Sequence, residues 1–231
     1  MTQPLKNPVP AIIFDLDGTL LDTERDFTGI LNSQLASYGK PPVSSQQMRN
    51  TVSSGARAMI MLGFGITESD PTFNDLLAEL LDRYQARIPQ TECELFPGVT
   101  SMLEALNSKS APWGIVTNKP SRFTDPLVES IPALQKSQVV VCADHVSERK
   151  PDPEGILLAC SKLECDPDNV LYVGDHPKDV QAAASAGATS IAVRWGYIPE
   201  EHPIDTWNAD IIINHPNEIL DHLDHQAKPD Q

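Results

Sequence analysis

Ala11-Ile12-Ile13-Phe14-Asp15-Leu16-Asp17-Gly18-Thr19 is the stretch whose reading decides the fold. Its short apolar run predicts a buried strand. The run ends abruptly in two carboxylates one residue apart, and Gly18 and Thr19 then supply turn chemistry. In a parallel α/β sheet, ligands bind outside the carboxyl ends of the strands, so paired acids there point to a bound metal or an attacking carboxylate. The plain alternative is a strand followed by an acidic turn. At roughly 6% usage per residue type, the four fixed residues of Asp-x-Asp-Gly-Thr arise by chance in about 0.3% of chains this long, which disfavours that alternative.

The composition narrows the setting of this strand. A chain of 231 residues accommodates one large domain or a core with a smaller insertion. Seventeen basic against 32 acidic residues give a net charge of −15, which disfavours nucleic acid and anionic membrane surfaces as partners. An anionic substrate then requires local positive charge. Cys93, Cys142, Cys160 and Cys165 show neither paired C-x-x-C spacing nor the density of a secreted scaffold. They read as reduced thiols, and the expected location is cytoplasmic. The first ten residues carry no apolar signal segment, and no apolar run approaches the roughly 18 residues of a membrane span.

Beyond Thr19 the pattern turns helical from about Thr23 to Ile88. Ile30, Leu31, Leu35 and Tyr38 fall at helical spacing before Gly39 and Pro41 stop the run. Ser44–Val52, Ala56–Leu62 and Phe73–Ile88 read as three further helices, with no strand pattern between them. Inserted directly after a strand that ends in acids, such a segment is positioned to lie over the strand end as a cap. From Gly98 the chain alternates: helix at Val99–Leu106, strand at Pro112–Val116, helix at Ser121–Ile131, strand at Val139–Cys142, helix at Pro153–Leu163, strand at Val170–Val173 and helix at Lys178–Ala186. Ser190–Val193 and Asp210–Ile213 read as two more strands, and the tail from about His225 as frayed. This rhythm predicts an α/β, doubly wound, Rossmann-like parallel sheet core with an inserted all-helical cap domain. The expected division is a core of residues 1–22 and 96–231 and a cap of residues 23–95.

Three of the strand ends carry polar groups: Asp15 and Asp17, Thr117 and Asn118, and Asp175 with Asp179 four residues on. Each is ordinary when taken alone. Acids at a helix start favour the dipole, Thr-Asn before Pro is capping chemistry, and Lys150 before Pro151 suits a solvated loop. Parallel strands of one sheet deliver their ends to one edge, however, and there these groups converge.

At this point the residues resemble a known family. Asp15-Leu16-Asp17-Gly18-Thr19, Thr117-Asn118, Lys150-Pro151-Asp152-Pro153 and Gly174-Asp175 with Asp179 are similar, in type and order, to the four motifs of the haloacid dehalogenase superfamily. The helical insert resembles that superfamily's smaller helical cap. The resemblance implies a Mg²⁺-dependent phosphatase with Asp15 as nucleophile and metal ligand, and Asp17 as proton shuttle and backbone-carbonyl ligand. It makes Asp175 a metal ligand with Asp179 in support, Thr117 and Asn118 the phosphate cradle, and Lys150 the charge-offsetting cation. An acid at position 17 suits transfer onward to water and argues against a dehalogenase. Sugar phosphate mutases of this superfamily tend to carry His twelve residues after the nucleophile, where this chain has Phe27.

Thr117-Asn118-Lys119-Pro120 and the chain length resemble the phosphoglycolate phosphatase branch. The stretches Val52–Met59, Trp113–Pro120 and Cys142–His145 are similar to N-acetylmuramic acid 6-phosphate phosphatases of cell-wall recycling. The expected activity is hydrolysis of a small anionic phosphate monoester, phosphoglycolate phosphatase-like, with the muramic acid phosphate, a mutase and a non-catalytic phosphate-binding module as alternatives. Arg57, after the Ser53-Ser54-Gly55 turn, is the candidate grip for a substrate carboxylate. The expected partner is a small phosphorylated metabolite.

Overall fold

The computed structural model describes residues 9–198, 200 and 202–226, with side chains described to residue 223. Residues 1–8 and the end of the tail from residue 227 lie outside these residues. The core sheet contains β1 (Ala11–Phe14), β4 (Trp113–Val116), β5 (Val139–Val141), β6 (Val170–Gly174), β7 (Thr189–Val193) and β8 (Ile211–Ile213). Its spatial order is β5-β4-β1-β6-β7-β8, and every pairing is parallel. From β1 the chain winds outward through β4 and β5, then crosses back over β1 to β6. The crevice where a winding direction reverses is the ligand site of open α/β sheets, and here it opens beside β1.

A continuous apolar strand still sorts its side chains by the two-residue period. Ile12 and Phe14 join one core cluster with Trp113, Leu171 and Val173, whereas Ala11 and Ile13 face the other layer with Val116 and Tyr172. The second layer is covered by α7 (Glu154–Leu163) and α8 (Pro177–Ala186), through Ile156, Ala159, Ala182 and Ala183. The first is covered by α5 (Val99–Ser108) and α6 (Ser121–Ser130), through Leu103, Leu106, Phe123 and Leu127. A terminal helix, α9 (Ile219–Gln226), also packs on this layer through Ile219 and Leu223. No periodic signal predicts this helix, and α9 carries the chain to residue 226, past the start of the expected frayed tail.

The insertion holds four helices: α1 (Glu24–Ser37), α2 (Ser45–Arg49), α3 (Ala56–Phe64) and α4 (Phe73–Arg87). The Ser44–Val52 stretch expected as one helix divides into α2 and a 3-10 turn at Val52–Ser54. Ser44 starts α2 through a capping box with Gln47. Two strands of two residues each, β2 (Leu21–Asp22) and β3 (Glu94–Leu95), pair antiparallel where the chain leaves and re-enters the core. They are too short to leave a periodic signal. Asp26 of α1 locks the return segment, accepting from Arg87 Nε at 3.0 Å and Thr91 Oγ1 at 2.5 Å.

Aromatic contacts seat the insertion on the core. Phe27 of α1 stacks on Tyr84 of α4 at 4.3 Å between ring centroids. Tyr84 then meets Phe123 of α6 at 5.3 Å. No helix among the described residues is long and apolar enough to cross a membrane, and the four cysteines are free.

Gly114 of β4 lies against Val139 of β5, and a Cβ there would fall 2.2 Å from Val139 Cγ1 and 2.8 Å from its carbonyl oxygen. Gly114→Ala is expected to destabilise the fold by about 1–3 kcal/mol through overpacking, read as a lowered urea midpoint with unchanged slope.

Candidate active site

β1 hands its ladder directly to the first acid, because the Asp15 backbone N–H donates to the Val173 carbonyl at 2.8 Å. Beyond it, Leu16 to Leu21 forms a tight turn in which the N–H groups of Leu20 and Leu21 both donate to the Leu16 carbonyl. Gly18 occupies φ +89°, and a Cβ there would fall 2.1 Å from Asp175 Oδ2. The turn closes on Asp175 because the residue is glycine. On the other side a Cβ on Gly196 would meet Asp175 Cβ at 2.2 Å, so the loop after β7 also reaches the acid.

Asp15, Asp175 and Asp179 are buried and each offers a carboxylate oxygen within 4.8 Å of the others. Lys150 enters this cluster, with Nζ 2.8 Å from Asp15 Oδ1, 2.7 Å from Asp179 Oδ1 and 2.9 Å from Tyr172 Oη. Its contact with Asp15 is an ion pair without hydrogen-bond alignment, and Asp15 Oδ1 is buried with no hydrogen-bond partner. Asp175 is better supplied, accepting from Thr19 Oγ1 at 3.1 Å, Ser53 Oγ at 3.3 Å and the Tyr197 N–H at 2.8 Å. Both Asp179 oxygens are engaged, one by Lys150 and the other by the His176 N–H at 3.0 Å.

The charges register this crowding. Burial, with help from Asp179 and Asp17, pushes Asp15 up to about 6 in spite of Lys150. Burial and then the Asp15 and Asp179 charges hold Asp175 well above the usual carboxylate range. Burial alone would depress the Lys150 ammonium, but Asp15 and Asp179 keep it well above its ordinary value. Three carboxylates against one ammonium, with an oxygen left unsatisfied, form a hard-oxygen donor set that fits a divalent cation.

Asp17 stands apart from this cluster. Its Oδ1 pairs with Lys119 Nζ at 2.8 Å, and the ammonium lies 4.7 Å from the Tyr84 ring centroid and 5.1 Å from that of Phe27. The buried Lys119 was not among the residues anticipated from sequence, although it lies inside the quoted Thr117-Asn118-Lys119-Pro120 stretch. Thr117 is buried and its hydroxyl accepts from the Lys119 N–H at 3.2 Å. The Asn118 side chain clasps the Lys150 backbone by two bonds of 3.0 Å, donating to its carbonyl and accepting from its N–H. His176 caps α8, with Nδ1 accepting from the Lys178 N–H at 3.1 Å. Burial lowers its pKa to about 4.

These groups open into a cavity of about 570 Å³ between the strand ends and the helical insertion. Asp15, Asp17, Thr117, Asn118, Lys150 and Asp179 line its floor, and Met59, Leu77 and Leu81 give its far wall an apolar stretch. Arg57 also lines the cavity, but its guanidinium forks onto Glu68 through Nε and Nη2 and lies 4.9 Å from the Phe73 ring centroid. Glu68 supplies the carboxylate that the sequence reading gave to a substrate.

A family model described as haloacid dehalogenase-like hydrolase matches residues 12–193. The chain belongs to this family. It is 45% identical over 215 residues to the N-acetylmuramic acid 6-phosphate phosphatase of Pseudomonas aeruginosa, covering 93% of this chain and 94% of the relative. It is 36% identical over 210 residues to a phosphoglycolate phosphatase of Xanthomonas campestris pv. campestris, covering 90% and 94%. The crystal structure of a predicted phosphoglycolate phosphatase from Haemophilus somnus superposes with a TM-score of 0.83 at 25% identity, covering 94% of this chain and 98% of that one. Family and relatives agree on the class of reaction, and the chain is a phosphatase.

The raised Asp15 pKa has a thermodynamic consequence in chelator. With the folded value near 6 against an ordinary 3.8, folding favours the protonated acid. The corresponding stability is present below about pH 4 and lost as the pH rises through about 6. Asp15→Asn mimics the protonated form, so in chelator its melting temperature is expected to match wild type near pH 4 and exceed it at pH 7. Calorimetry across that range checks the crossover.

Proposed function

We propose that this chain is a cytoplasmic, Mg²⁺-dependent phosphomonoesterase working through an aspartyl phosphate, with N-acetylmuramic acid 6-phosphate as its substrate. The observation that carries the chemistry is the meeting of Asp15, Asp175, Asp179 and Lys150 at one edge of the sheet, with Asp17 held beside them by Lys119. Asp15 attacks phosphorus, the bond to the substrate's ester oxygen breaks, and Asp17 gives that oxygen its proton. Asp17 then takes a proton from the water that cleaves the aspartyl phosphate, which restores Asp15 and releases inorganic phosphate. The Thr117 hydroxyl and Asn118 N–H hold the phosphoryl oxygens. Lys150 offsets the charge gathered on Asp15 and phosphate.

Asp15, the Asp17 carbonyl and Asp175 would hold Mg²⁺, which when bound lets the two anions approach each other. Asp179, with both oxygens engaged by Lys150 and His176, acts by fixing that lysine. Residues 23–95 act as the cap, hinged at the β2–β3 crossing.

Two features favour the muramic acid phosphate. The cavity of about 570 Å³ lies in the range of sites that enclose a drug-sized ligand, whereas two-carbon phosphoglycolate fills a small part of it. The apolar cap wall of Met59, Leu77 and Leu81 suits the acetyl and lactyl methyl groups of such a sugar. Phosphoglycolate is the second reading, favoured by the relatives of 36% identity that carry that name. Phe27, buried and stacked on Tyr84, offers no proton carrier where the mutases tend to place His.

A screen of kcat/KM over N-acetylmuramic acid 6-phosphate, 2-phosphoglycolate, hexose phosphates and nucleotides is expected to rank the first highest. Preference for phosphoglycolate would replace the substrate assignment and leave the chemistry standing. Asp15→Asn is expected to lower turnover on the order of 10⁴-fold or more with the fold retained. Persistent Mg²⁺-dependent activity in that variant would remove Asp15 from the nucleophile role.

A further inference from the structure

Six cationic side chains line the cavity, in a chain whose net charge is −15. Three are already neutralised by carboxylates of the protein itself: Lys119 by Asp17, Lys150 by Asp15 and Asp179, and Arg57 by Glu68. Arg122, Arg149 and Lys178 remain, none with an ion pair among the described residues. A second anionic group on the substrate would meet one of these.

They differ in what they present. Lys178 is a flexible point charge one residue from Asp179, and it lacks the planar fork that grips a carboxylate. Arg149 lies in the irregular stretch after β5 and is exposed, as Arg122 is, but among the described residues no aromatic ring lies beneath its guanidinium. Arg122 is in the first turn of α6, and its guanidinium carbon lies 4.4 Å from the centroid of the Phe123 ring. A guanidinium lying over an aromatic ring is held by its face and keeps its N–H edges for a partner. The support is rigid, because Phe123 is buried and packs against Tyr84 of α4. Thr117 lies four residues before α6 starts, so the phosphate cradle and this fork belong to one strand–turn–helix unit.

Tyr84 belongs to the same wall: it is 1% exposed, lines the cavity, and interacts with the Lys119 ammonium that pairs with Asp17.

We propose that Arg122, rather than Arg57, is the specificity residue of this phosphatase. Its fork takes the carboxylate of a carboxylated sugar phosphate while Thr117 and Asn118 hold the phosphoryl group. The assignment rests on the carboxylated-sugar reading of the substrate.

The test compares kcat/KM for N-acetylmuramic acid 6-phosphate and N-acetylglucosamine 6-phosphate, which lacks the lactyl carboxylate. Both are measured with the full chain in Mg²⁺, as wild type and as Arg122→Ala, Arg122→Lys, Arg57→Ala and Arg149→Ala, with thermal melts to establish folding. Wild type is expected to prefer the carboxylated sugar by on the order of 10- to 100-fold, the range of a charge-assisted pair. In Arg122→Ala the ratio falls toward one, mainly through KM, and Arg122→Lys restores part of it. Arg57→Ala and Arg149→Ala keep the wild-type ratio. Retention of the ratio in folded Arg122→Ala, or its collapse in Arg57→Ala or Arg149→Ala instead, overturns the assignment. A wild-type ratio near one overturns the substrate reading itself, and the role of Arg122 falls with it.

Discussion

Like charges confined at the end of a buried strand are the constraint around which this molecule is arranged. Asp15, Asp175 and Asp179 lie within 4.8 Å of one another and are buried, a condition that taken alone opposes folding. The structure compensates with a buried ammonium from Lys150 and the backbone and hydroxyl donors around Asp175. Each donor comes from a different strand end or loop. The requirement to satisfy these acids therefore fixes where the β1 turn, the loop after β5, the start of α8 and the loop after β7 meet.

A separate ion pair beside these three acids serves a different purpose. Asp17 and Lys119 neutralise one another at the boundary between core and insertion, beneath Phe27 and Tyr84. The ammonium is thus enclosed partly by the helices that cover the site. The same aromatic group continues through Phe123 to Arg122. The rings of the insertion thus form one side of the environment of Asp17, and one of them, Tyr84, packs against Phe123, the core ring over which Arg122 lies. The loop after β7 performs a comparable linkage on the opposite side. Tyr197 donates its N–H to Asp175 and its hydroxyl to Asp22 in β2, where the chain leaves the core.

Much of this was legible in the linear chain. The β1 run and its acids, the alternation of strands and helices after Gly98 and the all-helical character of the insert follow from periodicity and turn residues. These are local properties. Elements without a local signature were missed: β2 and β3 contain two residues each, and α9 lies in a polar tail whose helix depends on burying Ile219 and Leu223. Lys119 was in view as part of a quoted stretch, yet nothing in its neighbours announces that it faces Asp17, 102 residues away in sequence. Arg57 illustrates the converse. A Gly turn followed by an arginine reads as a free grip, but Glu68 eleven residues later already occupies it.

The sequence by itself determined the kind of fold, the order of the chemical groups and the acid pair at the end of β1, because strand period, turn chemistry and motif spacing are written in neighbouring residues. Tertiary structure alone decided which charges remain available. Whether a side chain is free or neutralised depends on a partner brought close by packing, so Lys150 among three acids, Lys119 on Asp17, Arg57 on Glu68 and the fork of Arg122, with no ion pair among the described residues, are decided by the fold.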